Sequence, residues 1–173
     1  VTLWTPPSHV AAGDASSSQF NTETVDNLMH LWERIGRVVT FSGSKAVANG
    51  TGTATDVDTL AEVIENGDLD YGVAAGVITL NTGGLYLAIN TASWGTSLAG
   101  TTRLVSIVGS SLGAAWLPVT VPVASSAGFG TGASAVRGVA IPAGETLTAR
   151  ARQDSGGSLS CNVHLTLVYL GPI

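Results

Sequence analysis

The stretch Leu159-Ser160-Cys161-Asn162-Val163-His164-Leu165-Thr166-Leu167-Val168-Tyr169-Leu170 decides the fold. Its alternation has period two, which is the period of a β-strand. One face carries Val163, Leu165, Leu167 and Tyr169, and the other carries His164, Thr166, Val168 and Leu170. The second half is apolar on both faces, and a strand of that kind is covered on both sides. In a two-sheet sandwich one face meets the opposite sheet, so the other needs a further cover, which a neighbouring subunit supplies. Gly84–Ile89 repeats the pattern, with Leu85, Leu87 and Ile89 set against Tyr86 and Ala88. Obligate interfaces of this kind bury roughly 2,000 Å² or more in total.

Working outward, the period of two holds from residue 38 to the end. Candidate strands are Val38–Ser42, Lys45–Ala48, Thr59–Glu65, Gly76–Asn81, Gly84–Ala92, Thr102–Val108, Trp116–Val123, Ala135–Ile141, Thr146–Gln153 and Leu159–Leu170. Turn chemistry separates them, as at Asn49-Gly50, Asn66-Gly67, Thr82-Gly83-Gly84 and Ala143-Gly144. Many short strands at this spacing predict an all-β sandwich or barrel. No helical pattern interrupts them, which argues against a parallel βαβ sheet.

Ahead of the strands the pattern differs. Residues 1–15 read as an extended arm, with Pro6-Pro7 in polyproline geometry and a turn at Gly13-Asp14. Trp4 and Val10 have no core of their own there: the arm is either a loose terminus or an anchor that docks on a partner. Residues 17–36 read as one α-helix, opened by a Ser16/Gln19 capping box. Phe20, Val25, Leu28, Met29, Leu31, Trp32 and Ile35 recur at threes and fours. Val25, Leu28, Trp32 and Ile35 fit a short coiled-coil seam, and equally a stripe packed on the chain's own β domain. The expected organisation is an anchor and trimerisation region over residues 1–40 and a head over 41–173.

Composition removes several functions. Of 173 residues only 11 % are charged, the net charge is −5, and Lys45 is the single lysine. No basic stripe is present for phosphate contacts, so no nucleic-acid partner is expected. No apolar run approaches the ~18–20 residues of a membrane helix, and the opening residues lack the pattern of a secretory signal. A single cysteine, Cys161, excludes an internal disulfide and a multi-thiolate zinc site. So few charges suggest a surface covered in part by copies of the chain or by a partner.

Two resemblances add to this. Gly76-Val77-Ile78-Thr79-Leu80-Asn81-Thr82-Gly83-Gly84-Leu85-Tyr86-Leu87-Ala88-Ile89 resembles a central signature of the C1q/TNF-like jelly roll. Thr102–Gly109, Val139–Leu147 with its Gly144-Glu145 tip, and His164–Pro172 resemble later pieces of that family in order. The likeness spans about residues 58–172 and departs from the family at Ala124–Ala135. The opening, Trp4-Thr5-Pro6-Pro7, Val10-Ala11-Ala12-Gly13-Asp14, Ser16–Thr22 and Val25-Asp26-Asn27-Leu28, is similar to that of many small tailed-phage virion proteins. Together they imply a homotrimeric phage structural protein that assembles and adheres rather than catalyses. Such a protein sits on the capsid surface, is assembled in the host cytoplasm, and binds the major capsid protein or another virion protein. The anchor residues would be Trp4, Pro6, Pro7, Val10, Phe20, Val25, Leu28, Trp32 and Ile35. Tyr86 and Tyr169 would lie in the head's core or at the trimer seam, and Leu165 and Leu167 at the trimer seam. Alternatives are a tail or baseplate fibre that binds a host surface ligand, and a carbohydrate-active enzyme.

Residues with chemistry to offer are few. His9, His30 and His164 are not accompanied by a Gly-x-Ser-x-Gly nucleophile elbow. His164 at an interface would make assembly pH-sensitive. Asp56, Asp58, Glu62, Glu65, Asp68 and Asp70 form an acidic stretch, and some C1q-like heads bind Ca²⁺. These carboxylates lack EF-hand spacing and read foremost as a solvated face, so no metal or cofactor is expected. Trp94 and Trp116 are core residues or sugar platforms. Gly128-Phe129-Gly130-Thr131-Gly132 lacks the context of a phosphate loop. Cys161 reads as a small apolar filler.

Overall fold

Branched and aromatic residues at every second position fill the chain from Val38 onward, and that pattern pairs strands around one apolar layer. The computed structural model describes residues 37–50, 54–66, 69–123 and 131–173. The arm residues Trp4, Pro6, Pro7 and Val10 lie outside the described residues. So do the helix expected over 17–36, with Phe20, Val25, Leu28, Trp32 and Ile35, and Ala124–Gly130.

Eleven strands are found among the described residues: β1 (Val38–Val47), β2 (Thr55–Asp56), β3 (Ala61–Asn66), β4 (Tyr71–Ala74), β5 (Val77–Leu80), β6 (Gly84–Trp94), β7 (Arg103–Gly109), β8 (Gly113–Thr120), β9 (Thr131–Ile141), β10 (Glu145–Gln153) and β11 (Leu159–Gly171). One sheet has the order β3-β1-β11-β6-β9, and the other β4-β5-β10-β7-β8 with β2 beside β10. Every strand ladder is antiparallel. The expected all-β sandwich is present.

The core lies between the sheets. Val39, Phe41, Tyr86, Ala88, Trp94, Cys161, Val163, Leu165 and Leu167 come from the first sheet, and Ile78, Leu80, Val105, Ile107, Leu147 and Ala149 from the second. Phe41 meets Tyr71 edge-on at 5.4 Å between ring centroids, and Tyr86 meets Tyr169 at 5.3 Å. Gly84 is required at the second contact. A Cβ there would overlap the Tyr169 ring and the Gly171 carbonyl. The β4–β5 hairpin turns on Ala75-Gly76, whose φ values of +50° and +74° place both residues in the left-handed region. That is the turn that matches the twist of paired strands.

Three features differ from the sequence expectation. Val38–Ser42 and Lys45–Ala48 are one strand, because Gly43 continues the ladder opposite Val163. Gly43 also lets the Thr59–Leu60 backbone cross closely over it. The short edge elements β2 and β4 were not anticipated; four residues that include Gly72 carry too little alternation to stand out. β9 begins at Thr131 rather than Ala135, since main-chain pairing with Trp94 asks nothing of side-chain pattern.

Candidate functional site

The outer face of the five-stranded sheet is built by simple parity. Pairing sets Val38, Val168, Leu87 and Gly138 in one row across β1, β11, β6 and β9. The next row is Ile64, Thr40, Thr166, Ile89 and Val136, and the one after it Ala61, Ser42, His164, Thr91 and Ser134. Ser44, Asn162, Ser93 and Gly132 complete the ladder. No Asp, Glu, Lys or Arg stands on any of these rows.

The strands do carry charges, but the register turns them away. Glu62 and Glu65 on β3 pair opposite Phe41 and Val39, the inward positions of β1. Glu62 accepts a hydrogen bond from Tyr71 Oη. Arg137 on β9 pairs opposite the buried Ala88 and donates through Nη1 to the Trp116 carbonyl at 2.9 Å. Lys45 is held by Asp58 at 2.7 Å.

What remains outside is uncharged and divided. One half is apolar: Ile64 and Val136 are each 59 % exposed, Leu170 47 % and Leu85 42 %, with Leu87, Ile89 and Val168 half-buried between them. The other half is hydroxyl, amide and imidazole. Thr40 and Thr166 mark the division and share a 2.9 Å hydrogen bond between their hydroxyls. Arg37 lies at the apolar end, where its carbonyl accepts from Tyr169 N and its guanidinium stands over the Tyr169 ring at 5.6 Å. A contiguous apolar patch with no charge marks a surface for another macromolecule.

The residues chosen from sequence for a trimer seam occupy the opposite parity. Tyr86, Leu165, Leu167 and Tyr169 all point between the sheets, where the chain's own core covers them. Tyr86 Oη donates to the Thr82 carbonyl at 2.6 Å, and burial, with Tyr169 beside it, pushes its pKa up to about 12. The greasiness read on both faces of β6 and β11 is real. The larger side chains of each pair went inward, and Leu85, Leu87, Ile89, Val168 and Leu170 form the outer set.

The remaining candidates have structural partners. Asp56 is bound by Arg150 and Asp58 by Lys45. Asp70 accepts from Asn81 Nδ2 and, through its carbonyl, from Asn81 N. With these carboxylates engaged separately, no group of three or more metal-ligating side chains occurs among the described residues. Trp94 and Trp116 are buried, so neither offers a flat ring to a sugar. Cys161 is sealed in the core, and burial pushes its thiol up to about 12. Sequence reasoning missed Glu145. It is buried and accepts hydrogen bonds from Ser111 N at 2.8 Å, from Ser111 Oγ and from Leu112 N. Burial works to raise its pKa, but these donors outweigh burial and the net shift is downward. It latches the β7–β8 turn to the β9–β10 hairpin. No described helix is long and apolar enough to cross a membrane.

The described residues form an antiparallel two-sheet sandwich with one uncharged outer sheet, and its fold is similar to that of TNF-type proteins. Among solved structures, murine APRIL superposes with a TM-score of 0.53 at 12 % identity, covering 74 % of this chain and 98 % of APRIL. Eiger TNF from S. frugiperda superposes with 0.53 at 13 % identity, covering 80 % and 94 %. The PRD1 vertex protein P5 aligns at 17 % identity over 78 % of this chain and 97 % of its own, with a TM-score of 0.46 that carries no argument. At these identities the likeness establishes the fold. No family model matches the chain, and no curated protein matches it in sequence.

Proposed function

We propose that the chain is a non-catalytic structural virion protein of a tailed bacteriophage, a homotrimer that decorates the capsid or forms a head fibre. The single observation that carries self-association is the outer face of β3-β1-β11-β6-β9, which holds apolar side chains in solvent and no charge. Three heads covering these faces on one another would shield Leu85, Leu87, Ile89, Val168 and Leu170. The seam expected from sequence at Tyr86, Leu165, Leu167 and Tyr169 is thereby recast: those residues shape the core behind it. The virion assignment is supported by the resemblance of residues 4–28 to phage virion proteins. In this reading residues 1–40 bind the major capsid protein or a neighbouring virion component through Trp4, Pro6, Pro7, Val10, Phe20, Val25, Leu28, Trp32 and Ile35. Joining three arms in one particle multiplies weak contacts through effective concentration.

Two experiments test the reading. Sedimentation of the full chain at micromolar concentration is expected to give the mass of three chains, and a stable single chain refutes self-association. Deleting residues 1–36 is expected to remove the protein from purified virions while leaving the head folded; normal incorporation refutes the anchor. Copy number on intact particles then separates the capsid shell, with dozens to hundreds, from a tail tip, with a handful.

A further inference from the structure

Among the described residues, His164 is the one ionisable side chain on the rows of the outer face given above. It stands opposite Ser42 on β1 and Thr91 on β6, with Asn162 and Thr166 beside it on its own strand. Farther along the same row lie Ala61 on β3 and Ser134 on β9. None of these carries charge, and the strands' own carboxylates and cations, Glu62, Glu65, Lys45 and Arg137, are turned away or engaged. The imidazole is exposed in the single chain. Once a second copy covers the sheet, protonation places an unpaired cation in a dry, uncharged contact, which is unfavourable.

Resting on the self-association proposed above, we infer that His164 is a pH switch for assembly through this face, loosening it as the medium turns acidic. Covering an imidazole disfavours its charged form, so association weakens as pH falls through the range in which histidines ordinarily gain a proton, about 6.5. Between pH 7.5 and 5.5 full suppression of protonation in the assembly costs about tenfold in affinity per chain, or about a thousandfold in a three-chain dissociation constant. Carboxylates at ordinary values titrate below this window.

Sedimentation equilibrium of the full chain at pH 7.5 and 5.5, with His164→Gln and His164→Lys alongside, tests the inference. The wild-type chain is expected to lose affinity by tenfold or more in acid. The Gln variant should associate equally at both values, and the Lys variant should be weak at both. Equal or tighter association of wild type in acid overturns the switch, as does a Gln variant that keeps the wild-type pH dependence. A wild-type chain that is single at both values refutes self-association itself.

Discussion

The two outer sheet faces of this sandwich differ in one respect that sets their fates apart. On the six-stranded side, Arg150 and Asp56 pair across β10 and β2 at 2.7 Å while both remain in water, and Arg152 lies on the same face of β10. On the five-stranded side every described outward residue is neutral, and the apolar ones crowd toward one end. Both sheets pair antiparallel throughout. Charge on an outer face keeps it solvated and deters edge-on or face-on pairing, and its absence leaves a face that gains by being covered.

The largest expected effect comes from removing that contrast. Ile89→Asp puts a charge in the middle of the uncharged face. It is expected to weaken association by about a hundredfold or more, because an unpaired charge buried at a contact costs about 3–5 kcal/mol. The matching substitution on the other face, Thr148→Asp, is expected to leave the sedimenting mass unchanged. Equal behaviour of the two variants refutes the assignment of the contact.

Next is the separation of inward from outward positions along one strand. Leu165→Ala is expected to lower unfolding stability by about 2–5 kcal/mol in denaturant titration, through lost burial and a cavity. Thr166→Ala, one residue away and facing out, is expected to stay within about 1 kcal/mol.

The latch at Glu145 comes third. Glu145→Gln is expected to cost about 1.5–3 kcal/mol, the range for hydrogen bonds to a charged acceptor. The pH profile gives the sign. Its pKa is lowered in the folded chain, so the stabilisation is complete above the unfolded value near 4.3 and is lost as pH falls through the folded value. Acid unfolding followed by circular dichroism should therefore be shallower in the variant.

The smallest effect belongs to the exposed pair that distinguishes the six-stranded face. Asp56→Asn is expected to cost no more than about 1 kcal/mol, and less in high salt.

Period-two alternation exposed nine of the eleven strands, because side chains on a half-buried strand must alternate. It failed at β2 and β4, which are too short to show a period. It also split β1 at Gly43, where a glycine usually read as a turn serves instead to admit the Thr59–Leu60 backbone. At the candidate surface, alternation identified β6 and β11 as apolar on both faces but not which face was inside. Tyr86 and Leu165 were weighed as interface residues, whereas the structure turns them inward and presents Leu85, Leu87, Ile89 and Val168. Glu145 read only as part of a hairpin tip and not as a latch, because its partners Ser111 and Leu112 are more than thirty residues away and come together only through the β7–β10 pairing.

Local chemistry thus determined the class of structure and the apolar character of both faces of two strands: alternation and turn residues act within a few positions of one another, and they are written in the chain directly. The choice of face, the neutrality of the five-stranded surface and the burial of Glu145 were decided only by pairing between distant strands. Register rotates every side chain of a strand together, so shifting it by one residue exchanges the two faces, and no run of ten residues contains that information.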